Sequence, residues 1–189
     1  SGFAGGLVPE AMPESRGKGL AIQQVKTLTG INGNTLAVFR TTESGYKDIT
    51  PRVRAGEEFP EGRYLVASIR LAPSGGWFGG KWYVDLLKPG VTEKFIEITM
   101  ETYREQIGDQ FGKRVPGWFT DEPHLAPAGG LHWSDHLPEL FEQRWGYDLM
   151  EHLPSLVQPV GDWKRVRHNY YHLLLEQFID RWARPCYEY

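Results

Sequence analysis

The sequence lacks the features that mark several large classes of protein. It has a single cysteine, Cys186, so no internal disulfide can form and no cysteine pair with zinc-site spacing exists. No apolar run approaches the ~20 residues that span a bilayer, and the opening residues do not have the pattern of a signal peptide. We therefore expect neither a disulfide scaffold nor a membrane partner.

The charge is also unremarkable. Lys and Arg number 21 against 24 Asp and Glu, and no long run carries one sign, so the basic surface typical of nucleic-acid binding is missing. With 40% hydrophobic residues in 189, the chain is long and apolar enough for a globular domain with a sizeable core.

The first part of the chain divides into a loop and a β-rich segment. Residues 1–19 are rich in glycine and proline and are predicted to be loop. Residues 20–71 contain "LAIQQVKTL", "NTLAVFRTT" and "RYLVASIRLA", apolar runs separated by turn residues. This pattern is typical of short antiparallel strands, and predicts a small β unit.

Residues 72–189 show helical periodicity interrupted by one short apolar run. Helices are predicted over 89–107, over 135–145 with Ser134 as the cap, and from Trp163 to about Trp182, with Pro185 as the stop. The run from Val115 to Thr120 is too short for a helix and is predicted to be a buried strand. A β segment, a helix, a strand and further helices favour an α/β fold.

The apolar run ends in an unusual way, in "GWFTDEP", where two carboxylates and a proline follow Trp118 and Phe119. A carboxyl group at the end of a buried strand is partly desolvated, which raises its pKa and lets it hold a proton near neutral pH. Asp121 and Glu122 are thus candidates to hold such a proton and give it to a leaving group. The same residues also fit a solvated turn.

"FTDEP" resembles the strand-end motif of glycoside hydrolase family 106, the α-L-rhamnosidase family. "SGFAGG" is similar to that family's loop after barrel strand 2, and "YVDLLKPGVTEKFIEITMETYREQIGDQFGK" to its helix 3 region. The resemblance implies an α/β fold: a partial (β/α)8 TIM-barrel-like fragment carrying a small antiparallel β insertion. Residues 1–19 would be the site loop after strand 2, 20–71 the insertion leading into strand 3, and 72–189 the segment with helix 3 and strand 4.

The resemblance also implies an activity, the hydrolysis of α-L-rhamnosides or related polysaccharide glycosides by an inverting mechanism. Glu122 would be the general acid, and the base would come from a later strand outside this chain, so the fragment alone should be inactive. No cofactor is required by this chemistry, although a carboxylate-held Ca²⁺ fits the family. Members are often exported, and any signal would lie upstream of Ser1.

The other candidate site residues are polar or aromatic side chains around this motif. The predicted substrate-binding residues are Asp121, His124, Trp77, Tyr83, Trp133 and Asp85. Aromatic rings suit the apolar faces of sugars, and Trp77 and Trp133 lie in loop contexts, whereas Trp118, Trp145 and Trp182 are predicted to be core. Asp121 and Asp85 also fit structural roles as acceptors for backbone N–H groups.

The sequence leaves several questions open: which residue would be the catalytic base, whether a metal is bound, and which class of function the chain has. Asp85, Glu10 and Glu14 could supply a base, but Asp85 is more simply a capping residue, and Glu10 and Glu14 are more simply solvated. His124, His132 and His136 match no compact ligand motif, so no protein-bound metal is predicted. The chain could instead be a noncatalytic carbohydrate-binding module, or a metal-dependent barrel isomerase or lyase. The strand edges of a partial barrel could also pair with another chain.

Overall fold

The computed structural model describes residues 6–120 and 123–189, which fold into two compact units. The first unit comprises Ser1–Lys18, Leu71–Ala128 and Glu176–Tyr189, and the second comprises Gly19–Arg70 and Gly129–Leu175. The strands are β1 (Lys18–Val25), β2 (Thr35–Thr42), β3 (Gly45–Asp48), β4 (Tyr64–Leu71) and β5 (Leu131–Trp133). The helices are α1 (Leu7–Ala11), α2 (Thr50–Arg54), α3 (Val91–Phe95), α4 (Glu101–Ile107), α5 (Leu137–Trp145), α6 (Leu153–Val157), α7 (Trp163–Phe178) and α8 (Arg184–Glu188).

The five strands form one antiparallel, curled sheet in the order β3-β2-β4-β1-β5. β2 pairs with β3 through Phe39 opposite Asp48 and with β4 through Phe39 opposite Leu65. The fold-class prediction of a partial (β/α)8 barrel is therefore wrong, because such a barrel has parallel strands joined by helices. The three predicted strands in 20–71 are confirmed, and association through the outer strands β3 and β5 stays a prediction.

Strands β2 and β4 contribute to one buried apolar cluster of the second unit. Val38, Ile49 and Tyr64 form a buried cluster there. The hydroxyl of Thr50, at the start of α2, accepts a hydrogen bond from the Val38 N–H at 2.8 Å. The Tyr64 hydroxyl donates to the Pro60 carbonyl at 2.6 Å, so the large side chains in this core are buried with their polar atoms paired.

Strand β5 is tied to helix α7 by a buried hydrogen bond. The Tyr170 hydroxyl donates to the His132 carbonyl at 2.6 Å, and Tyr170 is fully buried. In the same unit, the side-chain amide of Asn169 donates to the Tyr147 hydroxyl at 3.1 Å. A helical residue therefore holds a strand that is remote from it in sequence.

Two helix pieces separated by a π-helical turn make up the predicted helix of the first unit. α3 leads through a π-helical turn, Ile96–Met100, into α4, which confirms the helix predicted over 89–107. Val84, Leu86 and Val91 form the buried core beneath it.

The helices near the chain end agree with the sequence except at their caps. α5 begins at Leu137 rather than Asp135, and its N-cap residue is His136 rather than Ser134. Pro185 does not stop the last helix, because α7 continues through a π-helical turn, Ile179–Ala183, into α8. Proline lacks the N–H of a regular helical bond, and a wider turn just before it accommodates the missing bond.

The predicted buried strand at 115–120 is absent. Residues 116–120 have no regular structure, Phe119 is 89% exposed and Trp118 is 41% exposed. Pro116 and Gly117 explain the difference, because proline donates no ladder hydrogen bond and glycine weakens a strand. The core prediction for Trp118 is therefore wrong, while Trp145 and Trp182 are half-buried.

No helix in the described ranges has both the length and the apolar character needed to cross a membrane.

Substitutions at two neighbouring glycines before β5 can test how closely this segment approaches β1. Gly129 and Gly130 both have φ of 72°, but only at Gly130 would a Cβ meet another atom, the Leu20 carbonyl oxygen at 2.5 Å. We expect Gly129→Ala to lower the free energy of unfolding by about 1 kcal/mol through the left-handed backbone alone. Gly130→Ala should lower it by about 1–3 kcal/mol more through the steric conflict. Urea denaturation of both variants measures the difference, and equal losses would contradict it.

Candidate functional site

Three rings of the first unit, Phe78, Tyr83 and His124, pack together and form what we call the Tyr83 cluster. The Tyr83 ring lies 5.7 Å from Phe78 and 6.0 Å from His124 between centroids, both edge to face. The backbone N–H of His124 donates to the Tyr83 hydroxyl oxygen at 3.0 Å. The structure thus brings together two of the predicted site residues, Tyr83 and His124, which are far apart in sequence.

The backbone around Tyr83 is held by the loop that precedes β1. Gly17 N–H donates to the Tyr83 carbonyl at 2.9 Å, and Asp85 N–H donates to the Ser15 carbonyl at 2.7 Å. These bonds make a short antiparallel contact that includes a bridge between Arg16 and Val84. Tyr83 is therefore positioned from both its backbone and its hydroxyl.

Burial makes the Tyr83 hydroxyl harder to ionise than an ordinary tyrosine. Desolvation raises the pKa of Tyr83 above its usual value of 10.0, and the hydrogen bond from His124 offsets only part of that rise. The phenol therefore stays protonated at neutral pH. Its O–H can donate while its oxygen accepts the His124 N–H.

The side chain of Trp77 is 78% exposed to solvent. It lies in a short helical turn, Gly76–Phe78, directly before the Phe78 of the Tyr83 cluster. Gly75 N–H donates to the Lys81 carbonyl at 2.9 Å, which closes this loop. A flat ring on a closed loop, next in sequence to the cluster, is suited to contact a ligand.

Asp85 is buried, with 5% of its surface exposed. Its Oδ1 accepts the Leu87 N–H at 3.0 Å, and its carbonyl accepts the Lys88 N–H at 3.2 Å. Such a carboxylate organises the turn that leads into α3. These contacts favour the structural role that the sequence left open for Asp85.

Trp133 belongs to the second unit, where it lies on β5 and is 3% exposed. The sequence placed it in a loop as a ligand platform, but a ring so deeply buried offers no free face. The local signal was weak because β5 has three residues and lies between a glycine-rich turn and a polar segment. Trp77, Tyr83, Asp85 and His124 all lie in the first unit.

Asp121 and Glu122, the residues on which the catalytic prediction depends, lie outside the described residues. Glu10 and Glu14 are exposed, as expected for solvated side chains. His132 is buried, and its Nε2 lies 3.0 Å from the Ser134 hydroxyl. Among residues 6–120 and 123–189, no group of three or more His, Cys, Asp or Glu side chains is placed to hold a metal ion.

Arg16 makes structural contacts in this region that the sequence did not predict. Its Nε and Nη2 donate to the Ala72 carbonyl at 2.8 and 2.6 Å, and its guanidinium carbon lies 4.7 Å from the centre of the Trp82 ring. The arginine thereby joins the loop before β1 to the segment after β4. A single arginine in a glycine- and proline-rich loop has no sequence pattern that predicts such a contact.

Comparison with known proteins adds no assignment. No protein-family model matches this chain, and neither a curated protein nor a solved structure matches it.

The hydrogen bond between His124 and Tyr83 can be tested by Tyr83→Phe. Loss of the hydroxyl leaves the His124 N–H without its acceptor, so the free energy of unfolding should fall by about 0.5–1.5 kcal/mol at pH 7. Tyr187→Phe is the matched control, since Tyr187 is 90% exposed. Urea denaturation of the three proteins measures the effect.

The same variants test the raised pKa of Tyr83. Because the folded pKa lies above the unfolded value of 10.0, the stabilisation is complete below pH 10 and is lost as pH rises through the folded pKa. The difference in unfolding free energy between wild type and Tyr83→Phe should therefore shrink above pH 10. A difference that grows with pH would contradict the shift.

Proposed function

We propose that this chain recognises carbohydrate as part of a glycoside hydrolase, with Glu122 as the general acid. The observation that carries the proposal is the anchoring of His124, two residues after Glu122, against the Tyr83 hydroxyl and next to the exposed Trp77 loop. The sequence resemblance of "FTDEP" to rhamnosidases supports α-L-rhamnosides or related polysaccharide glycosides as substrates. The proposal does not depend on a barrel.

The proposed reaction breaks the glycosidic C–O bond with inversion. Glu122 donates its proton to the leaving oxygen, while a second carboxylate takes a proton from the water that attacks the anomeric carbon. Inverting enzymes hold the two carboxyl groups roughly 6.5–9.5 Å apart to admit that water. Asp85 is a poor candidate for the base because it is buried and already accepts a backbone N–H.

The substrate contacts proposed for the first unit follow from the rings described above. Trp77 offers a flat apolar face to the C–H groups of a sugar, and 78% of its surface is exposed. The protonated Tyr83 hydroxyl could donate to a sugar oxygen while it holds His124.

Glu122→Gln in the full-length protein tests the catalytic role. We expect hydrolysis of an aryl α-L-rhamnoside to fall by at least about 100-fold, since a positioned general acid contributes roughly 10²–10⁴-fold. The rate of the wild type should decline at high pH as the acid loses its proton, and this limb should disappear in the variant. Glu10→Gln, at an exposed carboxylate, is the control. Unchanged activity in Glu122→Gln would remove the proposal.

A noncatalytic carbohydrate-binding module is the second candidate, favoured by the exposed ring of Trp77. Under this alternative the same chain binds sugars without hydrolysing them, and Glu122→Gln leaves binding unchanged.

Trp77→Ala should weaken oligosaccharide binding about tenfold, because a ring contact of about 1.4 kcal/mol corresponds to that factor. Tyr187→Ala, at a ring that is 90% exposed on α8, serves as the matched control. Isothermal titration with a rhamno-oligosaccharide gives the dissociation constants. Equal affinities of wild type and Trp77→Ala would exclude Trp77 from the binding surface.

A further inference from the structure

The turn between β1 and β2 contains an asparagine that is followed by a glycine. The chain has three asparagines, Asn32, Asn34 and Asn169, and Asn32 is the one that precedes a glycine. Asn32, Gly33 and Asn34 are all exposed to solvent. The Thr35 N–H closes the turn by donating to the Asn32 carbonyl at 2.9 Å, and β2 begins at Thr35.

The side chain of Asn32 is folded back over this turn. Its Oδ1 accepts the Asn34 N–H at 2.9 Å, and its Nδ2 donates to the Gly30 carbonyl at 3.1 Å. The first bond closes a small ring of atoms that includes both Cγ of Asn32 and the backbone nitrogen of Gly33. A donor on the side-chain carbonyl oxygen also stabilises the negative charge that forms on that oxygen when Cγ is attacked.

Gly33 leaves its own backbone nitrogen open to reaction. A Cβ at this position would meet no heavy atom within 4 Å, so no other part of the chain packs against this side of the residue. Glycine also reaches backbone conformations that other residues avoid, which lets its nitrogen approach Cγ of the preceding residue. Because the residue is exposed, solvent can accept the proton that the nitrogen loses as it attacks.

We propose that Asn32 is a site of spontaneous deamidation in which the Gly33 backbone nitrogen is the nucleophile. This nitrogen attacks Cγ of Asn32 and forms an N–Cγ bond, and the side-chain amide nitrogen leaves as ammonia after taking up a proton in place of the one that Gly33 loses. Water then opens the cyclic imide at either of its carbonyl carbons. Hydrolysis at Cγ leaves aspartate, whereas hydrolysis at the main-chain carbon leaves isoaspartate. The whole sequence consumes one water molecule and releases one ammonia molecule.

Either product changes the turn before β2. The new carboxylate is negatively charged at neutral pH, and it cannot donate to the Gly30 carbonyl as Nδ2 of the asparagine does. Isoaspartate also adds one carbon to the backbone after Ile31, a residue that packs against the buried cluster of Val38, Ile49 and Tyr64. The isoaspartate form therefore enters β2 through a longer connection.

Peptide mapping by mass spectrometry of the full-length protein, incubated in a mildly alkaline buffer, tests the proposal. Deamidation raises the mass of a peptide by about 1 Da, and fragmentation of the peptide assigns the residue. The other two asparagines are internal controls. Asn34 is exposed but is followed by the β-branched Thr35, and Asn169 is 6% exposed and donates to the Tyr147 hydroxyl. We expect the mass increase at Asn32 to precede any increase at Asn34 or Asn169.

Gly33→Ala is the matched variant, because its Cβ would meet no other atom and the fold should be unchanged. We expect this variant to deamidate more slowly at Asn32, since the added methyl group hinders closure of the imide. Urea denaturation of wild type and variant checks that their stabilities agree.

Several outcomes would overturn the proposal. Equal rates at Asn32 and Asn34, or equal rates at Asn32 in wild type and Gly33→Ala, would remove the role of Gly33. Isoaspartate and aspartate peptides have equal mass and are separated by chromatography, and aspartate as the sole product would mean direct hydrolysis by water. Deamidation in urea but not in the native protein would mean that the turn protects Asn32.

Discussion

The first unit depends on a close contact between chain segments at Gly17, where there is no room for a side chain. A Cβ at Gly17 would lie 2.4 Å from Pro127 Cγ and 3.1 Å from the Tyr83 carbonyl oxygen, so only glycine allows the three segments to meet. Gly17 N–H donates to Tyr83, and its carbonyl accepts the Ala72 N–H at 2.8 Å. Through this one residue the loop before β1 holds both the end of β4 and the strand-like segment that carries Tyr83. The Tyr83 cluster follows from that contact, since His124 is placed by the Tyr83 hydroxyl.

Buried polar side chains such as Tyr170 and Asp85 are used by the fold, whereas Trp77 and Trp118 are exposed rings. Tyr170 and Asp85 both bond to backbone groups in the interior. Satisfying a buried carbonyl or N–H avoids a desolvation cost of about 1–3 kcal/mol, so these side chains serve stability. Trp77 and Trp118 differ, because both rings remain exposed while their loops are closed by backbone hydrogen bonds. The exposure of Trp77 supports the proposal that its ring contacts a ligand.

The predicted site was assembled on a parallel barrel, and the sheet is antiparallel. One wrong prediction placed the catalytic motif: the apolar segment before Asp121, with Val115, Trp118 and Phe119, was predicted to be a buried strand. Apolar content does not distinguish a buried strand from an exposed aromatic segment in so short a run. Pro116 and Gly117 were the contrary signal, since both weaken strand pairing. With the strand gone, the functional proposal depends on the Tyr83 cluster and the sequence motif rather than on a barrel edge.

The local sequence pattern alone determined the helices and strands that have a long apolar repeat or clear turn residues at their ends. The helix around Val91–Ile107, the helix capped by Gly146 and the strands β1, β2 and β4 follow from spacing and turn residues. The tertiary structure decided what those patterns do not encode: the order of the strands in the sheet, the addition of β5, and the meeting of Tyr83 with His124. Each of these joins residues far apart in the chain, and the free energy comes from packing and hydrogen bonds that exist only after the segments have met. For that reason the sequence predicts local elements, whereas the site depends on the tertiary contacts.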